Sequence, residues 1–200
     1  MKHLLIWCLV WLQASFFHAT AQRPGAGERY PEGYIISVEG DTAWGFIRSA
    51  TWFQDQRGIE FIDEYGTRTW YQSDRLSGFG YLDKHYLALP TPYLFAGAFS
   101  DSMIFLLRLI DGPARLYRFY TQHNVLTLKS GPGYIELIEK PDGRLYEVST
   151  NFKFNRVSGA FEDYPELAAE IRQGYYKPHE ILEIIRVYNQ WYLKREKRAK

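Results

Sequence analysis

Four times between Gly33 and Ser149 the chain sets a short glycine-containing turn between two runs of β-forming residues. Tyr34-Ile35-Ile36-Ser37-Val38 and Thr42-Ala43-Trp44-Gly45-Phe46-Ile47 flank Glu39-Gly40-Asp41. Gly58 to Asp63 and Thr67 to Gln72 flank Glu64-Tyr65-Gly66. Met103 to Ile110 and Ala114 to Thr121 flank Asp111-Gly112-Pro113, and Tyr134 to Glu139 and Arg144 to Ser149 flank Pro141-Asp142-Gly143. Glycine reaches the positive φ of a tight hairpin without steric cost, and β-branched and aromatic neighbours favour a pleated surface. Four hairpins of similar size predict an antiparallel β-meander, built as a curved sheet or a partial barrel. The units share a turn type and not residue identity, so they are not a sequence repeat.

Two stretches between these hairpins are less regular. Ser77 to Pro92 reads as one strand followed by a Pro-bounded connection. Met103-Ile104-Phe105-Leu106-Leu107 does not alternate, which fits a central strand buried on both faces. Gly131-Pro132-Gly133 reads as a loop.

After about residue 158 the period changes from two to that of a helix. Leu167, Ala168 and Ile171 hold helical spacing up to a stop at Gly174, and Pro178 suits a first helical turn. Ile181, Ile184, Ile185, Tyr188 and Tyr192 mark one apolar face, widened by Leu182 and Trp191. The fold class expected is therefore α+β: an antiparallel sheet over about 33–157, then two or three helices over about 159–194 packed on it. A basic tail, 194–200, follows. These make a single domain, 33–200.

Residues 1–21 have the form of a secretory signal peptide, with Lys2, an apolar run from Leu4 to Leu12, and Ala19-Thr20-Ala21 before the cut. The run is too short for a span, which needs about 20 residues. Residues 22–32 read as a flexible leader. The single cysteine, Cys8, lies inside the apolar run and lacks the small residues of a lipidation signal. Thiolate zinc sites, disulfides and cysteine nucleophiles are thereby excluded from the expected mature chain. The chain has 24 basic and 23 acidic residues, so no strong overall charge points to nucleic acid. Lys194 to Lys200 holds five of the bases, which leaves the body mildly acidic. That tail is a possible peripheral contact for an anionic surface, and otherwise a solvated helix end suited to the helix dipole.

The order of these features resembles a loose family of exported, uncharacterised Bacteroidota proteins. The residues carrying it are Gly33 to Ile47 (G-Y-I-x-x-x-x-G-D-T-x-x-G-x-I), Leu116 to Tyr120, Asp163 to Ile171 (D-x-P-E-L-x-x-x-I) and Tyr188-Asn189-Gln190-Trp191. The resemblance implies a cell-envelope, periplasmic or extracellular address and brings across no catalytic residue.

No catalytic signature is present. His85, His123 and His179 have no metal-helix spacing, and Ser77, Ser130 and Ser158 lack a nucleophile elbow. No cofactor and no metal is expected. Glu60 with Asp63, or Glu136 with Glu139, are the acid pairs a glycan hydrolase would need to set across a cleft. The aromatic share, 18%, is the stronger feature. Neighbours such as Trp70-Tyr71 and Phe119-Tyr120 must point to opposite faces of a strand, so some aromatics fall outside one core. The helices are expected to cover one sheet face and leave the other to bind, and Trp44, Trp70, Tyr71, Phe119 and Tyr120 are the candidate ligand-binding residues of an exposed aromatic surface. The reading is a non-enzymatic binding or scaffolding module of the cell envelope, with an envelope protein or glycan as partner. The alternatives are an envelope glycan hydrolase using a carboxylate pair, and a small barrel around an apolar ligand.

Overall fold

The computed structural model describes residues 30–48, 56–90, 103–123, 130–148 and 154–199. The expected signal peptide, most of the leader, Trp52, Phe53 and Tyr93 lie outside the described residues. Ten strands form one antiparallel sheet: β1 Glu32–Ser37, β2 Thr42–Ile47, β3 Gly58–Ile62, β4 Arg68–Gln72, β5 Leu76–Tyr81, β6 Lys84–Pro90, β7 Met103–Ile110, β8 Arg115–His123, β9 Ser130–Glu139 and β10 Leu145–Val148. Helices follow: a 3-10 helix Phe154–Phe161, α1 Pro165–Arg172, a 3-10 turn Pro178–Glu180 and α2 Ile181–Ala199. The architecture is α+β, and the four glycine turns all join paired strands.

The strand order is β10-β9-β8-β7-β6-β5-β1-β2-β3-β4. It is a meander except at one place, because β5 pairs with β1 and not with β4. That exception bends the sheet. In a flat sheet β4 and β5 would lie four strand spacings apart, about 19 Å. The chain from Gln72 to Leu76 reaches about 14 Å at most. The β1–β4 end must therefore roll inward. Two clasps show where it arrives. Ser73 Oγ donates to the Met103 carbonyl at 2.5 Å, and the Gln56 carbonyl accepts from the Phe105 N–H at 2.9 Å. The Gln56 side chain then donates to the Tyr120 carbonyl at 3.0 Å and accepts from the Tyr120 N–H. Gln56 is 2% exposed and fills the gap where β7 and β8 cease to pair beyond Leu107 and Arg118.

The roll gives the sheet an inner and an outer face. Inside it, Ile35, Ile47, Ile59, Phe61, Phe79, Tyr86 and Phe105 form a packed core, with Phe79 and Tyr86 stacked at 4.5 Å between ring centroids. The inner face of β8–β10 is covered instead by the helices, through Leu116, Ile138 and Val148 against Phe161, Leu167, Ile171, Ile184, Ile185 and Tyr188. Leu109 packs against both clusters and joins them. A third buried cluster, including Leu106, Tyr117, Phe119 and Leu137, lies on the outer face of β7–β9. Each fully buried aliphatic side chain contributes about 2 kcal/mol. The sheet is open at its β4 and β10 edges, and the roll's interior is filled with side chains. Among the described residues the sheet is not closed into the barrel that the apolar-ligand alternative requires.

Several local expectations change. The last described strand runs to Val148, and residues 154–157, expected in the sheet, belong to the 3-10 helix Phe154–Phe161. Ser77–Pro92 holds two strands, not one, because β5 and β6 turn at Leu82-Asp83. Leu82 takes φ +53° there, a conformation that carries no glycine or asparagine signal in this sequence. Gly131-Pro132-Gly133 belongs to β9, with proline at the register shift between Thr121 and His123, where its missing N–H costs no regular ladder bond. The basic segment from Lys194 to Arg198 forms the last turns of α2. Ile104 to Leu107 is buried on both faces, as expected of a central strand.

Candidate functional site

The open part of the outer face is built by register. Trp44 on β2 pairs with Tyr34 on β1, which pairs with Gly80 on β5; Gly80 pairs with His85 on β6, and His85 with Arg108 on β7. Residues directly opposite in an antiparallel sheet share a face, so this row runs across five strands. Gly80 has a reason to be glycine. A Cβ there would stand 2.6 Å from the Tyr34 ring, which lies across it and reaches His85. The Tyr34 hydroxyl and His85 Nδ1 share a hydrogen bond of 2.7 Å, and the Trp44 ring tilts over Tyr34 at 5.3 Å.

The same device recurs on β4. Trp70 lies across Gly58, where a Cβ would stand 2.8 Å from the indole. Cross-strand aromatics covering glycines are a known way to finish a sheet surface. Trp70 and Trp44 are 57% and 71% exposed, both on the outer face. Two strands and four residues separate them, about 16 Å along the sheet. Between and beside them stand Phe46, Arg48, Glu60 and Arg68. Glu60 accepts from Arg48 at 3.1 Å and lies 3.8 Å from Arg68, whose guanidinium also sits 5.5 Å from the Tyr30 ring centroid. The surface alternates flat aromatic areas with charged hydrogen-bonding groups.

The five candidate residues are thus divided. Trp44 and Trp70 share the exposed outer face. Tyr71 and Tyr120 turn inward and pack against the roll's core. Phe119 faces outward but is 7% exposed, inside the third cluster, so it offers no surface to a ligand. Sequence reasoning missed Tyr34 and His85 as partners of Trp44. The signal was the pairing of Gly80 with an aromatic, which only the non-sequential β1–β5 register reveals.

The candidate acid pairs do not meet. Glu136 and Glu139 are three residues apart on β9 and point to opposite faces. Glu139 accepts from the Tyr117 hydroxyl at 2.6 Å and pairs with Arg115 at 3.2 Å. Asp63 caps its turn by accepting from the Tyr65 and Thr67 N–H groups, at 2.9 and 2.8 Å. No cluster of three metal-ligating side chains occurs among the described residues. Nor is any described helix long and apolar enough to cross a membrane.

A cavity of about 370 Å³ opens between the β9–β10 turn, the 3-10 helix and the second half of α2. On its wall Lys140, 5% exposed, sets its ammonium 2.9 Å from Asp163 Oδ1 and 3.5 Å from the Tyr188 ring centroid. Burial pulls the Lys140 amine below its ordinary value against the opposing pull of Asp163. Burial pushes Asp163 up, but hydrogen bonds from Tyr188 and Lys140 outweigh it and hold the carboxyl below the usual range. Burial and the bond to Asp163 push the Tyr188 phenol far up. With both charges paired, this cluster ties the helices to the end of β9.

Comparison with family models, with curated proteins and with solved structures finds no match to this chain. What defines the protein is its own geometry: a rolled antiparallel sheet, helices on part of its inner face, and an aromatic and charged outer face.

Proposed function

We propose that this is a non-enzymatic, exported cell-envelope module that binds a glycan chain along the outer face of β1–β4. The observation carrying this reading is the pair of exposed indoles, Trp44 and Trp70, on one face with Arg48, Glu60 and Arg68 between them. A sugar ring stacks its C–H face on an aromatic ring and takes hydrogen bonds from neighbouring polar groups. A separation of about 16 Å suits an oligosaccharide lying across both platforms and exceeds a single ring. The form of residues 1–21 supports export. A hydrolase is less favoured, because neither acid pair shares a cleft. The test is titration of the protein with soluble envelope polysaccharides and their oligosaccharides, beside Trp44→Ala and Trp70→Ala. Saturable binding weakened by each substitution supports the proposal. Absence of binding to every glycan, or binding indifferent to both, removes it.

A further inference from the structure

Glu136 is 4% exposed, and its two oxygens are used unequally. Oε1 accepts from Arg118 Nη2 at 2.6 Å and from Arg118 Nε at 3.2 Å. Oε2 has no hydrogen-bond donor among the described residues. The acceptor capacity of Oε2 is therefore open to whatever fills the space beside it. Glu136 forms part of the wall of a cavity of about 330 Å³, between the inner face of β8–β9 and the start of α2. This is the opposite face of the sheet from Trp44 and Trp70.

The cavity has two chemistries. On the sheet side the Arg118 guanidinium lies 4.3 Å from the Tyr134 ring centroid, beside its own ion pair with Glu136. On the helix side Pro178, Ile181 and Leu182 supply apolar surface, and the exposed His179 adds an imidazole. The charges select the occupant. A cation attracted to Oε2 would meet Arg118, and an anion attracted to Arg118 would meet Oε2. A neutral group with a donor next to an acceptor satisfies both, and the vicinal hydroxyls of a sugar have that form. The volume is at the small end for ligand cavities, about 300–1,000 Å³.

We infer that this cavity is a second binding site, which takes a single pyranose ring. One hydroxyl donates to Glu136 Oε2, the adjacent hydroxyl oxygen accepts from Arg118, and the C–H face of the ring rests on Pro178 and Leu182. The site stands independently of the outer face.

The experiment is saturation-transfer NMR with calorimetric titration of the full chain. Its probes are the methyl glycosides of glucose, galactose, mannose and N-acetylglucosamine, with methylamine and acetate as charged comparisons. The expected result is saturable millimolar binding of at least one glycoside. Glu136→Gln, which keeps the shape but halves the acceptor, weakens it about tenfold. Leu182→Trp fills the cavity from a half-buried position while leaving both residues of the ion pair in the sequence, and abolishes binding even if Glu136→Gln fails to fold. No saturable glycoside binding, binding that survives Leu182→Trp, or equal binding of methylamine or acetate would overturn the inference.

Discussion

The Asn189 side chain on α2 takes both hydrogen bonds of Ala114 at the β7–β8 turn: Oδ1 accepts from its N–H at 2.7 Å, and Nδ2 donates to its carbonyl at 2.8 Å. Both residues are buried. The amide replaces a ladder partner where the hairpin turns, and so fixes the helix to the sheet at one register. Asn189→Ala leaves a buried donor and a buried acceptor unpaired and should cost about 2–4 kcal/mol, read by urea unfolding. Asn189→Asp keeps the acceptor but sets a carboxylate against the Ala114 carbonyl, and should be no better tolerated.

Phe119 and Trp44 separate core from surface. Phe119→Ala should lower stability by about 3–5 kcal/mol, as for a large core truncation. Trp44→Ala, which removes a mostly exposed ring, should stay within about 1 kcal/mol in the same denaturant series.

Gly80→Ala tests the platform built by Tyr34. The new Cβ would displace the Tyr34 ring and break its hydrogen bond to His85. The expected reading is a changed His85 imidazole resonance by NMR with the fold retained. A silent spectrum would contradict the packing.

Asp163 carries the acid sensitivity of the helix cluster. Its carboxyl is held below the ordinary value of 3.8, so the unfolded chain takes up the proton first as pH falls. The stability it contributes is therefore full above about pH 4 and lost as pH drops through its native value. Unfolding free energy measured from pH 7 to pH 2 should fall in that window, and Asp163→Asn should flatten this part of the slope while lowering stability at neutral pH.

How legible was this in the sequence? The glycine turns and the helical stripe of Ile181, Ile184, Ile185 and Tyr188 follow from local periodicity, and the hairpins and α2 form accordingly. The turn at Leu82 has no such signal, so β6 was hidden. The roll rests on Gln56 and Ser73 meeting β7 and β8 from far along the chain, which no local pattern encodes. Faces were legible only in part. Alternation separates Trp70 from Tyr71 and Phe119 from Tyr120, yet it does not say which face of each strand is covered. The motif Tyr188-Asn189-Gln190-Trp191 proves to be packing: Tyr188 binds Asp163, Asn189 binds Ala114, and Trp191 stacks on Tyr164 at 4.5 Å.

The most direct test of the central claim is a calorimetric titration of one envelope oligosaccharide series into the wild type and the Trp44→Ala/Trp70→Ala double variant, with melting curves taken alongside. The wild type should bind the longer oligomers more tightly than the shorter ones. The double variant should lose that binding by about tenfold or more while its melting temperature stays within a few degrees. Equal binding by both proteins, or a double variant that loses binding only because it no longer folds as the wild type does, would contradict it.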